Sequence, residues 1–397
     1  MGYTALARRY RSRDFDEVVG QEPIARTLRA AIDAGRVGHA YLFCGTRGVG
    51  KTSMARIFAK ALCGKPDAGA DDPVNRAIMS GQDTDVIEID AASNTGVDNA
   101  RELIANCAYR PLRGGLKVYI IDEVHMLSTA AFNALLKTME EPPEHVKFVL
   151  CTTDPQKVPA TIQSRCQRFD FRAIPSSLIG EHLASVVQGE GVKADRDLIA
   201  QVARLGNGSM RDALSLLDRL MATGSERLTS KLLEELLGLP ERARLDRLLD
   251  AIANGDARAA LEAGAGLLSG GVSVDQALEA LLERLRDLLV LSACGGETEL
   301  VDLEPDARRE EAARAERFDA AGVSHMIALT ENVQRSAKSS ALPRALFDAL
   351  LVRLALAEKF ADAAALLAGG GSSGGGARGS PGARAPARET EHAAKKR

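Results

Sequence analysis

The run Gly45-Thr46-Arg47-Gly48-Val49-Gly50-Lys51-Thr52 constrains the fold of this chain more than any other stretch. A G-x-x-x-x-G-K-T loop needs a strand before it and a helix after it. Both are legible here, as the apolar run 40–44 and a helical pattern over 53–62. The glycines let backbone N–H groups turn inward around phosphates, and the helix N-terminus adds the positive end of its dipole. The expected nucleotide contacts are Gly45, Thr46, Arg47, Gly48, Val49, Gly50, Lys51, Thr52 and Ser53. Within them Lys51 is expected to reach the β- and γ-phosphates, and the Thr52 hydroxyl to ligate Mg²⁺.

Such a loop sets the architecture around it. Strand-like and helix-like segments alternate up to about residue 172, which predicts a parallel α/β sheet. The predicted strands are 40–44, 85–90, 117–122, 146–152 and 167–171. Between them, Ala100, Leu103, Ile104 and Cys107 share one helical face, as do Phe132, Leu135, Leu136 and Met139. Past Ala173-Ile174-Pro175 the strand signals cease, and 176–240 reads as a small helical unit. From 241 to 368 the chain is rich in Leu and Ala and helical, with Leu278, Leu281, Leu282, Leu285, Leu288 and Leu289 as an expected core or interface. Residues 369–397 open with Gly369-Gly370-Gly371-Ser372-Ser373 and carry six basic and two acidic side chains, which predicts a disordered tail of charge +4. The fold class is thus α/β plus all-α, with domains expected at 1–175, 176–240 and 241–368.

The strand 117–122 ends in Asp122-Glu123. In a phosphate-loop enzyme an acid at this point holds Mg²⁺ through its water shell, and its neighbour orients and deprotonates the attacking water. Asp122 is assigned the first role and Glu123 the second. Two arginines stand where they could meet a γ-phosphate. Arg165, in Ser164-Arg165-Cys166, could reach the site of a neighbouring subunit, and Arg211 opens a helix of the second unit. Read from composition alone, each is better explained as a surface salt-bridge partner.

Net charge is −3, so general affinity for nucleic acid does not follow from charge. No apolar run approaches the roughly 20 residues that cross a bilayer, and the first nine residues lack the apolar segment of a secretory signal. A cytoplasmic protein is therefore expected. The six cysteines are scattered with no C-x-x-C pair, so six free thiols, mostly buried, are expected.

Longer motifs surround the loop. They are Leu6-Ala7-Arg8-Arg9-Tyr10-Arg11, Phe15 to Gln21, His39 to Phe43, Ile120 to Leu127, Phe132 to Lys137, Glu140 to His145, Thr152 to Lys157, and Ser164-Arg165-Cys166. On these residues the chain resembles the gamma/tau family of bacterial DNA polymerase III clamp-loader subunits, strongly over 1–240 and by helical character beyond. The resemblance implies an AAA+ module (sheet domain plus helical lid) followed by a helical collar that oligomerises. It implies that Val18, Val19 and Arg11 border the adenine and ribose, that Thr153 is the polar sensor, that Arg165 is a finger acting in trans, and that Arg211 is the lid sensor. It further implies ATP with Mg²⁺, partners of the delta and delta-prime type in a pentameric ring, a sliding clamp, and primer-template DNA.

Family members usually carry a four-cysteine zinc module in the loop after the first helix of the ATPase core. This chain keeps only Cys63 there, so zinc is not expected. Ser12, usually proline in the family, and Cys151, commonly alanine, depart from the pattern without touching the chemistry. Two other tasks compete with clamp loading: another AAA+ DNA motor (of Holliday-junction or helicase-loader type), and a non-hydrolysing ring scaffold. The motifs at 140–145 and 152–157 disfavour the first, and the intact Lys51, Thr52, Asp122 and Glu123 disfavour the second. No polymerase chemistry is expected, because the widely spaced acidic set of a polymerase is missing.

Overall fold

The computed structural model describes residues 4–356 apart from 66–71, 94, 114, 299, 302 and 304. The expected tail at 369–397, the stretch 357–368 and the middle of the loop after Cys63 lie outside the described residues. Those described gather into two compact units, the first holding residues up to 241 with 294–313, the second 242–293 with 314–356.

In the first unit a short helix α1 (Leu6–Arg9) and α2 (Glu22–Asp33) precede strand β1 (Ala40–Cys44). Next come α3 (Lys51–Cys63), α4 (Pro73–Ser80), β2 (Val86–Asp90), α5 (Val97–Cys107), β3 (Lys117–Asp122), α6 (Thr129–Glu140), β4 (Val146–Thr152), α7 (Ala160–Gln163) and β5 (Gln167–Asp170). The five strands form one sheet in the order β2-β3-β4-β1-β5, all pairs parallel. β1 is buried along its whole length because it has a neighbour on each side and helices on both faces.

Side chains alternate between those faces, as the two-residue strand period requires. Leu42 and Cys44 of β1, Tyr119 and Ile121 of β3, and Phe148 and Leu150 of β4 pack with Ala100 and Leu103 of α5 and Phe132, Leu135 and Met139 of α6. Tyr41, Phe43, Val118, Ile120, Val149 and Cys151 point to the other face, against Leu28 of α2, Met54, Ile57 and Phe58 of α3, and Ile78 of α4. The helical faces read from the sequence are therefore the faces that the sheet covers.

A helical subdomain follows: α8 (Ser176–Gly189), α9 (Arg196–Leu205), α10 (Met210–Met221) and α11 (Ser230–Leu237). Its core joins Leu183, Val186, Val202, Leu214 and Leu217 with Leu6 of α1, so the N-terminal helix packs with this subdomain although it lies far away in sequence. One correction concerns strands. Lys193–Ala194 (β6) and Arg227–Leu228 (β7) pair in parallel here, where no strand was expected. Two residues per strand are too few to show any alternation. The edges of two sheet strands also shift by one residue. Asp85 stands just before β2: its O still accepts from Val118 N at 2.8 Å, while its buried carboxylate accepts from Leu112 N at 2.8 Å and Arg113 N at 3.1 Å. Phe171, past the end of β5, keeps one bond to Cys44 O at 2.7 Å.

The second unit is helical, with α12 (Arg242–Ala253), α13 (Ala257–Ser269) and α14 (Val274–Cys294). The next helix, α15 (Pro305–Ala315), straddles the unit boundary, and α16 (Ala320–Ala337) and α17 (Pro343–Ala355) complete the second unit. Leu278, Leu281, Leu285 and Leu288 are buried, while Leu282 and Leu289 are half-buried. Beside them Arg284 pairs with Asp246, Arg314 reaches Asp246 at 3.4 Å and Asp250 at 3.3 Å, and Arg317 reaches Asp250 at 2.8 Å. No described helix is long and apolar enough to cross a membrane. All six cysteines are free thiols; Cys44, Cys107 and Cys151 are buried, Cys63 and Cys166 half-buried, and Cys294 exposed.

Candidate functional site

A cleft of about 980 Å³, open to solvent on one side, lies where the loop after β1 meets α1, α8 and α10. The cleft is lined by Arg47, Gly48, Val49, Gly50, Lys51, Thr52 and Ser53 from the loop and α3, by Asp122 and Glu123 from the end of β3, by Arg11, Val18 and Val19, and by Arg211. The structure thus brings together most of the residues that the sequence singled out. Gly45, Thr46, Thr153 and Arg165 do not line it.

The loop folds as glycine permits. Gly48 and Gly50 take φ of +77° and +100°, and a Cβ on Gly50 would meet nothing within 4 Å, so the backbone there is bare toward the cleft. Gly50 caps α3, whose first residue is Lys51. The Lys51 ammonium is turned back onto the loop, donating to Gly45 O and Thr46 O at 2.8 Å each, and burial lowers its pKa. A buried cation held only by carbonyl oxygens suits an incoming phosphate.

Thr52 Oγ1 donates to Asp122 Oδ2 at 2.7 Å, and Glu123 N donates to Asp122 Oδ1 at 3.0 Å. Burial raises the Asp122 carboxyl above its ordinary range, against the lowering effect of the Thr52 bond. A hydroxyl beside a carboxylate, both hard oxygen donors at a helix start, fits Mg²⁺ better than any soft metal.

Glu123 takes φ of +46°, a left-handed conformation that costs a non-glycine residue about 1–3 kcal/mol. It is held there by a network. Its carboxylate accepts from Thr153 Oγ1 at 2.9 Å and Thr153 N at 3.3 Å, with His125 Nδ1 at 3.4 Å. Thr153 therefore reaches the cleft through Glu123 rather than lining it. Arg211 N stands 3.5 Å from Gly48 O, at the first turn of α10, so the lid touches the phosphate loop directly. Arg165 is engaged elsewhere: its guanidinium pairs with Glu140 of α6 and donates to Thr161 O at 2.6 Å.

Sequence reasoning missed the far wall of the cleft, made by Ala7, Tyr10, Ile174, His182, Met210 and Leu214. Burial depresses the pKa of His182, which favours its neutral ring against a ligand. No local spacing marks these residues, because they come from α1, the segment before α8, and the lid helices.

Cys63 has its own partner. Its Sγ donates to Leu116 O at 3.2 Å, and burial pushes its pKa up to about 12. The described ends of the following loop are pinned by Asn75, whose amide exchanges two 3.0 Å bonds with the Lys65 backbone. Among the described residues no group of three or more His, Cys, Asp or Glu could hold a metal ion.

Three family models match in sequence order. They are the DNA polymerase III delta subunit over residues 20–175, the ATPase lid domain of the DNA polymerase III clamp loader subunit over 178–226, and domain III of DNA polymerase III subunits gamma and tau over 228–368. DNA polymerase III subunit gamma of Buchnera aphidicola is 40% identical over 298 residues, which is 74% of this chain and 81% of that one. The gamma/tau subunit of Mycobacterium tuberculosis H37Rv is 41% identical over 364 residues, 89% of this chain and 62% of that one. The tau/gamma subunit of Haemophilus influenzae is 47% identical over 249 residues, 60% of this chain. The chain matches only 35% of the length of that relative. Among solved structures, the RuvB Holliday junction branch migration motor of Thermotoga maritima aligns over 61% of this chain and 79% of that one, at 19% identity and a TM-score of 0.45. That likeness is too loose to carry an argument about task.

Proposed function

This chain belongs to the gamma/tau family of DNA polymerase III subunits, and we propose that it is the ATP-driven motor of a sliding-clamp loader. In this reading residues 1–175 form the AAA+ ATPase domain, 176–240 its lid and 241–368 the oligomerising collar. The partners are delta- and delta-prime-type subunits, the clamp and primed DNA. The observation that carries the reading is one cleft holding Lys51, Thr52, Asp122, Glu123 and Arg211, with Arg165 left outside it on the same chain.

Each side chain then has one task. Lys51 exchanges its two carbonyl partners for phosphate oxygens. Thr52 and Asp122 would hold Mg²⁺, which would supply positive charge against the phosphates. Glu123 takes a proton from the attacking water, and Thr153 fixes where its carboxylate stands. Arg211 couples the lid to the loop through the contact at Gly48. Arg165 leaves Glu140 to meet the γ-phosphate of a neighbouring subunit. The same chemistry disfavours a non-hydrolysing scaffold, which would not need the base and the metal carboxylate side by side.

The test is ATP hydrolysis by the chain assembled with its partner subunits, with and without clamp and primed DNA. Clamp and DNA together should stimulate the rate. Arg165→Ala should slow it by about 10³-fold or more in the ring while leaving ATP affinity of the isolated chain intact. Loss of affinity in the isolated chain would place Arg165 in cis and overturn the assignment.

A further inference from the structure

Next to the nucleotide cleft lies a second hollow of about 1,150 Å³, open to solvent, whose lining includes Arg8, Arg11, Arg13, Arg56, Lys60 and Arg76 and no carboxylate or aromatic residue. Six cations on one wall are not the average of a chain whose net charge is −3. Two of them are neutralised. Arg56 makes a bidentate pair with Glu88 at 2.6 and 2.7 Å, and Lys60 reaches Asp14 at 2.9 Å. The other four are not: among the described residues no hydrogen bond or ion pair engages the side chains of Arg8, Arg11, Arg13 and Arg76. Arg8, Arg13 and Arg76 are exposed. Arg11 is half-buried, and burial together with the nearby Arg56 and Arg211 lowers its pKa.

The arrangement comes from three elements. Arg8 lies on α1, Arg11 and Arg13 follow it, and Arg76 lies on α4, while the paired Arg56 and Lys60 of α3 form the floor. Four unneutralised guanidinia gathered round one hollow repel each other unless an anion joins them. One phosphate accepts two bonds from a guanidinium fork, so four forks call for several phosphates in a row. With no aromatic side chain to stack bases, such a site would grip a sugar-phosphate backbone without reading sequence.

We infer that this basic hollow binds the phosphate backbone of DNA, beside the nucleotide cleft, with which it shares Arg11 alone. The choice of DNA over other phosphate chains rests on the clamp-loader reading; the presence of an anion site does not.

The experiment uses the full chain with Arg8, Arg13 and Arg76 changed to alanine together, three residues outside the nucleotide cleft. Binding to a fluorescent duplex of random sequence is followed by anisotropy across a salt series, with ATP affinity as the control for fold. Each lost contact to duplex phosphate lowers the salt slope by about 0.9, so the triple variant should lose about 2.7 from log K against log salt. ATP affinity should stay within twofold of the wild type. An unchanged affinity and slope would overturn the proposal.

Two competitors separate the sources of anion. Inorganic triphosphate displacing DNA only at millimolar concentration supports a backbone site, whereas triphosphate binding in the absence of any DNA binding would make this a small-anion pocket and refute DNA. Poly-glutamate competing as well as DNA would point to an acidic protein partner and also refute it. A chain that binds DNA through this hollow yet shows no clamp-stimulated hydrolysis would sink the motor reading and leave the site standing.

Discussion

Replacing Gly48 by alanine should expose the contact between lid and phosphate loop, because a control two residues away isolates the backbone cost. Gly48 and Gly50 both hold positive φ, where a side chain strains the backbone by about 1–3 kcal/mol. At Gly50 the added methyl meets nothing, so Gly50→Ala should cost that strain alone, about 2 kcal/mol. At Gly48 the methyl would lie 1.8 Å from Ser209 Oγ, 2.9 Å from Ser209 Cβ and 3.2 Å from Arg211 Cβ. The hydroxyl can rotate away. The two Cβ atoms cannot, since both are fixed to the start of α10. Restoring ordinary contact at about 3.5–4.0 Å needs a shift of about 0.5–1 Å in that turn. Overpacking of this kind adds about 1–3 kcal/mol, which brings Gly48→Ala to about 4 kcal/mol.

The assay is urea unfolding of the nucleotide-free chain, followed by circular dichroism. A third variant closes the cycle. Ser209→Gly removes the nearest two obstructing atoms while costing α10 only a few tenths of a kcal/mol as an N-cap, so in the Gly48→Ala background it should recover about 1 kcal/mol or more. Equal costs for Gly48→Ala and Gly50→Ala, or no recovery with Ser209→Gly, would refute the idea that the lid rests on the loop through this point.

Four other outcomes are expected. Lys51→Ala should weaken ATP binding by about 10- to 150-fold, the worth of a charged hydrogen bond of roughly 1.5–3 kcal/mol, and wild-type affinity in calorimetry would contradict it. Burial raises the folded pKa of Asp122 above 3.8, so its favourable share of stability is full below pH 3.8 and is lost as pH rises through the folded value. Asp122→Asn, which does not titrate, should therefore gain stability relative to wild type between pH 4 and 7 while losing hydrolysis; unfolding curves showing the reverse trend would count against burial as the cause. Asp246→Ala strips the buried Arg284 guanidinium of one partner and should cost about 2 kcal/mol in urea unfolding, with a change under half of that indicating a solvated pair. Purified protein should carry no stoichiometric zinc, because one tetrahedral site needs about four ligands and the Cys63 thiol already donates to Leu116 O; one zinc per chain, lost on Cys63→Ser, would reverse this.

What could be read from the sequence follows the range over which each feature is encoded. The phosphate loop, the Asp122-Glu123 pair and the inward faces of α5 and α6 are local patterns, and the structure has them in those places. The far wall of the cleft was hidden, since Tyr10 and His182 stand on elements that meet only after α1 joins the lid core through Leu6. The pairing of Arg165 with Glu140 was hidden for a similar reason: both residues were visible, but only folding brings the segment after α7 beside α6. The strand pair β6 and β7 is too short for any pattern to announce it.

The placing of β1 has a mechanical consequence. It is bonded to β4 on one side and β5 on the other, with Cys44 aligned to Thr152 and to Asp170, so it can neither slide nor tilt without breaking a ladder. The sheet therefore acts as a fixed abutment beneath the loop. Displacement at the loop has a compliant exit in α10, which touches it through a single backbone approach of 3.5 Å and side-chain packing. A 12-residue helix is about 18 Å long, so tilting it by about 5° at its first turn carries its far end through about 1.5 Å. A rigid α10 would thus enlarge a small displacement at the loop in proportion to its own length.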